Sequence, residues 1–328
     1  MNIETASALA VELSHNAVGS NLANRFSVQF ALSNSAANTP LKIVMPDLTH
    51  AHSSEQWLGL APNRDWSAWY LFQNRDYLFA RVPAALTQSQ PLDEAAKTSY
   101  LALFDCMHQL GYPYLCRTWN YFSDITHAGP RTHNRYQLFC SGRSRAYQSC
   151  AQSQAHYPAA TVVGSHNDDL CVYFIASKRS GSAIENSNQI SAYNYPKQYS
   201  QDAPLFARAL LHQTSQQTIL FISGTASIRG HASQYANDVR QQTGVCLDNI
   251  QTLIDTAKHE HNLDVTSLSE LTLLKVYIKR RQDFTTVKTL VEAHCGSQLA
   301  VSYLQGHLCR DDLLVEIEAV CIKKTLTY

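Results

Sequence analysis

Two carboxylates near the end of the chain, Glu316 and Glu318, lie in Leu308–Cys321, whose second half alternates strictly between apolar and other residues. A period of two predicts a strand with Leu313, Val315, Ile317, Ala319 and Cys321 on one face and Leu314, Glu316, Glu318 and Val320 on the other. A carboxyl in such a strand is either solvated at an open face or held with a raised pKa where it can deliver a proton. Spacing alone favours the solvated reading. A second group with chemical capacity is Arg131–Gln148, where Arg135, Arg143 and Arg145 are interleaved with Tyr136, Phe139 and Tyr147. Guanidinium groups among aromatic rings suit a small dianion with a planar body, and a helix with a solvated basic face is the plainer alternative.

Other chemistries lack the residues they need. The 328-residue chain has 26 Lys and Arg against 26 Asp and Glu, and its one basic cluster is Lys279-Arg280-Arg281, so nucleic acid is not expected as a partner. Glycine is scarce at 12 residues and forms neither a Gly-x-Gly-x-x-Gly nor a P-loop pattern. No nucleotide cofactor is expected. The nine cysteines include no Cys-x-x-Cys pair and fall mostly in apolar runs, as reduced cytoplasmic thiols do. His259 and His261 would point to different faces of a helix, so no metal site is expected. No run approaches a membrane span, and the N-terminus has no basic region of a signal peptide.

The elements that must position these groups follow from periodicity. Residues 1 to about 90 are polar, with short strand-like runs at Phe26–Leu32, Leu41–Met45 and Trp69–Phe72, and carry no chemical motif. Asp93–Gly111 reads as a helix, with apolar residues at three and four and Gly111 as its stop. A strand through Cys116–Phe122 follows. From Ala160 the expected order is strand, strand, strand, helix, strand, helix, strand, strand, with helices at Asp238–His259 and Phe284–Ala293. That order predicts an α/β (α+β) protein with helices on one side of mixed sheets, and a boundary near residue 155 separating 1–155 from 156–328.

Several ordered blocks from about Tyr100 onward make the chain resemble the chorismatases. They include Arg117-Thr118-Trp119-Asn120-Tyr121-Phe122, Arg135-Tyr136-Gln137-Leu138-Phe139, Ser191–Tyr199, Phe206-Ala207-Arg208-Ala209, Gly224-Thr225-Ala226-Ser227 and Leu314-Val315-Glu316-Ile317-Glu318. The resemblance implies a RidA/YjgF-like (chorismate mutase-like) catalytic half after a related or divergent N-terminal half that contributes substrate-binding arginines. It implies chorismate as substrate, no cofactor, and Glu316 as the acid that protonates the enolpyruvyl methylene, with Glu318 accessory or structural.

Arg135, Arg143 and Arg208, with Tyr195, are then the candidates for the two carboxylates of chorismate, and Arg145 or Lys197 could substitute. Gly224 and Cys309 match the branch that makes 3-hydroxybenzoate and pyruvate, with or without 4-hydroxybenzoate. An odd separation puts Cys309 and Glu316 on opposite faces of a regular strand, so a bulge or loop near Arg310-Asp311 must intervene if both touch substrate. The other products and activities left open are a cyclohexadiene diol, imine deamination in the RidA manner, and binding without catalysis. A monomer or homotrimer without membrane partner is expected.

Overall fold

The computed structural model describes residues 8–15, 24–32, 41–128, 133–150 and 157–325. Near the N-terminus, β1 (Ala10–Ser14), β2 (Arg25–Ala31), β3 (Lys42–Val44) and β4 (His52–Leu58) form a small sheet in the order β1-β4-β2-β3. The chain then lays down β5 (Ala61–Pro62), β6 (Tyr70–Gln73), β7 (Tyr77–Arg81), α1 (Leu92–Leu110), β8 (Tyr114–Phe122), α2 (Arg135–Ser149), β9 (Ala159–Gly164) and β10 (Cys171–Ser177). Their strands make one six-stranded sheet, ordered β5-β6-β7-β10-β8-β9.

The same pattern follows again. It comprises β11 (Ser182–Ile184), β12 (Ala209–Gln213), β13 (Gln217–Ala226), the short pair β14 (Ile228–Arg229) and β15 (Ala232–Ser233), α3 (Val239–His261), β16 (Leu273–Ile278), α4 (Phe284–Cys295), β17 (Ala300–Gln305) and β18 (Val315–Lys324). The second large sheet is ordered β11-β12-β13-β18-β16-β17. Each large sheet holds one parallel pair, β8 with β9 and β16 with β17. In each, a helix makes the crossover that parallel pairing requires. The chain is thus two copies of one α+β topology behind a small added sheet.

This repeat moves the expected boundary. Residue 155 itself lies outside the described residues, but β9 and β10 beyond it pair with β8 and β7. The sheets change over between Ser177 and Ser182. The physical reason is the crossover: β9 can lie parallel to β8 only after α2, so the first unit cannot close before its last two strands are made.

Helix ends follow local chemistry. Gly111 ends α1 at φ 74°, where a side chain would be strained. Asn134 caps α2 reciprocally with Gln137. The predicted alternation of β18 is observed: Val315, Ile317, Ala319 and Cys321 pack with α3 and α4, whereas Val320 joins the cluster between the sheets. That cluster draws Phe26 and Trp57 from the small sheet, Phe79, Trp119 and Tyr173 from the first large sheet, and Phe221 and Tyr277 from the second. Among the described residues no helix is long and apolar enough to cross a membrane.

A buried ion network crosses this interface. Lys275 Nζ on β16 lies 2.6 Å from Glu55 Oε2 on β4 and 2.7 Å from Glu318 Oε1 on β18. Arg117 Nη2 on β8 lies 3.0 Å from Glu318 Oε2. All four side chains are at most 3% exposed. Removing one partner of such a network leaves an uncompensated buried charge. Lys275→Met is therefore expected to destabilise the fold by about 3–5 kcal/mol, read as a lowered denaturant midpoint, whereas an unchanged midpoint would show the network to be dispensable.

Candidate active site

The two carboxylates that share one face of β18 have opposite surroundings. Glu318 accepts hydrogen bonds from Trp119 Nε1 at 2.7 Å and Tyr277 Oη at 3.2 Å, besides its contacts with Lys275 and Arg117. Burial by itself would raise this carboxyl, but Lys275 and Arg117 outweigh it and hold Glu318 below the usual range. Glu318 is ionised and structural.

Glu316, two residues earlier, accepts no hydrogen bond from the described residues. It is 5% exposed. Burial pushes its pKa up to about 8, the neighbouring Glu318 charge adds to the rise, and Arg117 opposes it. Burial and Glu318 outweigh Arg117, so the carboxyl favours its protonated form near pH 7 and is suited to donate a proton.

Glu316 opens onto a cavity of about 560 Å³. The opening arises from a break in β13. Its pairing with β18 shifts between Ile222 and Thr225, so Ser223 and Gly224 leave the ladder opposite Glu318, and Gly224 comes up against the Glu316 carboxyl. Gly224 donates its N–H to Thr161 Oγ1 at 3.1 Å, and Thr161 Oγ1 also accepts from Arg117 Nη2 at 2.6 Å. A Cβ on Gly224 would overlap Glu316 Oε1 and come within 3.0 Å of its Cδ. Glycine is therefore required for the acid to stand where it does.

Of the residues singled out in the sequence, Glu316, Tyr195, Arg208, Gly224 and Cys309 all line this cavity. Arg208 donates from Nη2 to Tyr195 Oη at 2.7 Å and to Ile190 O at 2.8 Å. Cys309 reaches the same cavity as Glu316 because Cys309–Asp312 is a turn, with β18 beginning only at Val315. The parity conflict is thus resolved by a loop. Burial pushes the Cys309 thiol up to about 12, Glu316 adds to the rise, and Arg310 opposes it, so the residue is a neutral wall.

Two expected arginines do not line the cavity. Arg135 turns away, donating from Nε to Ser123 O at 2.8 Å and lying 5.9 Å from the Phe122 ring. Arg143 is buried inside α2, its guanidinium 5.0 Å from the Phe139 ring and 6.0 Å from the Tyr100 ring. None of its three nitrogens finds a hydrogen-bond partner among the described residues. The proposed substitutes fail too: Arg145 pairs with Asp93 and Glu94 of α1, and Lys197 is exposed outside the cavity lining.

The cation that the sequence reading missed is Arg310. It lies 3.9 Å from the Tyr199 ring centroid and 5.4 Å from that of Tyr195, and donates from Nη1 to His231 O at 2.9 Å. With Arg208 it places two guanidinium groups in one cavity beside Tyr195. The capped N-terminus of α2 supplies Asn134, Tyr136 and Gln137 to the same wall. Both halves of the chain therefore build the site.

A cavity bearing an acid of raised pKa, two guanidinium groups and aromatic side chains suits a small anion. Residues 56–176 match the family model "Chorismatase FkbO/Hyg5-like, N-terminal", which ends where the first large sheet does. The chain is 35% identical over 279 residues to a chorismatase of Streptomyces rapamycinicus, covering 81% of each. It is 34% identical over 234 residues to a 3-hydroxybenzoate synthase of Streptomyces hygroscopicus, covering 69% of each. A crystal structure of a chorismatase superposes with a TM-score of 0.84 at 27% identity, over 97% of this chain and 99% of that one. The chain belongs to the chorismatase family, and it is an enzyme of that family.

The raised pKa of Glu316 has a consequence for stability. Its folded value near 8 exceeds the ordinary 4.5, so the native state binds a proton that the unfolded state releases between these limits. The stability this group contributes is full below pH 4.5 and is lost as pH rises through 8. Relative to Glu316→Gln, the wild type is expected to lose on the order of 2–4 kcal/mol across this window. Parallel pH profiles of the two proteins in denaturant unfolding would refute the raised value.

Proposed function

We propose that this enzyme cleaves chorismate to 3-hydroxybenzoate and pyruvate, with Glu316 as the proton donor. The observation that carries this reading is the neutral, unpaired Glu316 carboxyl facing a cavity that also holds Arg208 and Arg310. Chorismate has a carboxylate on its ring and another on its enolpyruvyl arm. Arg208 and Arg310 take these two groups, each guanidinium being able to hold a carboxylate through parallel hydrogen bonds. Arg143, a buried cation with no counter-ion among the described residues, adds positive potential behind the wall. The α2 N-terminus contributes in the same sense.

The reaction begins when the Glu316 O–H bond breaks and its proton joins the enolpyruvyl methylene through the π electrons of the enol ether. The resulting oxocarbenium ion forms close to the new Glu316 carboxylate, which offsets its charge. The proton of the neighbouring ring hydroxyl passes to the ether oxygen as the hydroxyl oxygen adds to the cationic carbon, and the bond from that carbon to the ether oxygen breaks. The ring carbon–oxygen bond of the former hydroxyl then breaks, so that this oxygen leaves as the carbonyl of pyruvate. The ring cation left behind loses the proton on the carbon bearing the remaining oxygen, which completes 3-hydroxybenzoate and returns a proton to Glu316. Addition of water in place of the hydroxyl would leave both ring oxygens in place and give the diene diol. The atoms of chorismate equal those of hydroxybenzoate plus pyruvate, so the sum needs no oxidant.

Gly224 and Cys309 set the product. Glycine keeps the acid in position, and the neutral Cys309 thiol closes one side of the cavity against water, which favours capture within the ring over hydrolysis to a diene diol. The ionised Glu318 stays out of the reaction because four donors occupy its oxygens.

Incubation of the pure enzyme with chorismate is expected to release pyruvate together with 3-hydroxybenzoate, resolved by chromatography. Glu316→Gln should lower the rate by about 100-fold or more, and an undiminished rate in that variant sinks the assignment of the acid. Turnover of a reactive imine without pyruvate from chorismate would favour a deaminase instead. Arg310→Ala should raise KM for chorismate by roughly 10-fold or more, the value of one charge-assisted contact. An unchanged KM would remove Arg310 from the binding set.

A further inference from the structure

Away from the active-site cavity, three potential metal ligands converge where the N-terminal sheet meets the second large sheet. They are His15, just beyond β1, and Asp47 and His50 in the connection between β3 and β4. Their ligand atoms all lie within 4.8 Å of one another. The connection is pinned to β17: Asp47 bridges Leu304, and Leu48 donates its N–H to Tyr303 O at 2.8 Å.

Asp47 is 5% exposed, and its two oxygens are treated differently. Oδ1 accepts from Thr49 N at 2.7 Å, Thr49 Oγ1 at 2.7 Å and His50 N at 2.9 Å. Oδ2 is buried and accepts nothing from the described residues. His15 Nδ1 is likewise buried without a partner among them. Thr49 Oγ1 commits its proton to Asp47, so its 2.7 Å contact with His50 Nδ1 must use the imidazole proton. That fixes the tautomer of His50 and leaves its Nε2 lone pair free.

The His15 and His50 rings stack at 3.7 Å. Two imidazoles and one carboxylate oriented through its other oxygen are donors that a borderline divalent ion prefers.

The geometry points to a zinc-class divalent metal site formed by His15, Asp47 and His50 that fastens the N-terminal sheet to the second half of the chain. Tetrahedral coordination needs donor atoms roughly 3.3 Å apart with the ion in the plane of each imidazole, so one of the two stacked rings must turn on binding. His15 and His50 line a cleft of about 260 Å³ that also contains Glu292 and Tyr303 and shares no residue with the active-site cavity. The ion would therefore act on assembly of the fold and not on the reaction.

The test uses the tag-free full chain, with Zn²⁺ alone as the probe. After incubation with excess Zn²⁺ and exhaustive dialysis, elemental analysis is expected to find about one zinc per chain, and the thermal midpoint should rise by roughly 5 °C at 100-fold the Kd. The variants Asp47→Asn and His50→Ala should each lose both effects while retaining the chorismate cleavage rate. No retained zinc in the wild type, or equal retention in the variants, overturns the site. Loss of cleavage on chelation with the fold intact overturns its structural role. Metal content is read without substrate, so this result is independent of the proposed activity.

Discussion

The structure depends on the saturation of Glu318 at the seam between the sheets. Its two oxygens meet Lys275, Arg117, Trp119 and Tyr277, contributed by β16 of its own sheet and β8 of the other. A buried ion network is weak evidence for stability, since well-packed apolar residues often serve as well or better. Its effect here is electrostatic. With Glu55, it balances two anions against two cations in a region where solvent cannot supply more. A third carboxyl placed next to this closed set must remain protonated. Glu316 owes its pKa near 8 first to its own burial and then to the Glu318 charge beside it, with Arg117 opposing both.

The cavity, in turn, depends on departures from regular strand structure. Ser223 and Gly224 drop out of the β13 ladder, and Cys309–Asp312 turns before β18 begins. The first departure removes the side chain that would collide with Glu316. The second brings Cys309 and Arg310 to the same opening. The first large sheet has its own register shift, between β10 and β8 at Ile175 and Ala176, but that one lies outside the cavity lining.

The legible part of this arrangement was periodic. Alternation in β18 predicted its two faces, and the three-and-four spacing located α1, α3 and α4 within a few residues of their observed bounds. The strand β4 was not read, because His-Ser-Ser-Glu-Gln-Trp-Leu carries polar residues that are buried against partners no local pattern reveals. Glu55 was hidden with it. Arg310 was missed for a related reason: it stands in a turn, where no period marks direction, and its value comes from Tyr195 and Tyr199 more than a hundred positions away. Arg135 and Arg143 came from the resemblance of ordered blocks, and the helix sends one to Ser123 O and buries the other among rings, outside the cavity lining. The resemblance of ordered blocks, not spacing, separated Glu316 from Glu318.

The repeated topology explains how one chain builds so asymmetric a site. The counterpart of β18 in the first unit is β10, and its residues Cys171–Ser177 include no carboxylate. The first unit instead gives β8, whose Arg117 and Trp119 face Glu318. One copy thus carries Glu316 and Glu318, and groups from both copies, Lys275 and Tyr277 beside Arg117 and Trp119, engage Glu318. If both copies carried carboxylates on the facing strands, their mutual repulsion would raise several pKa values at once and leave no unique proton donor. The cavity that Glu316 faces also holds two guanidinium groups, Arg208 and Arg310.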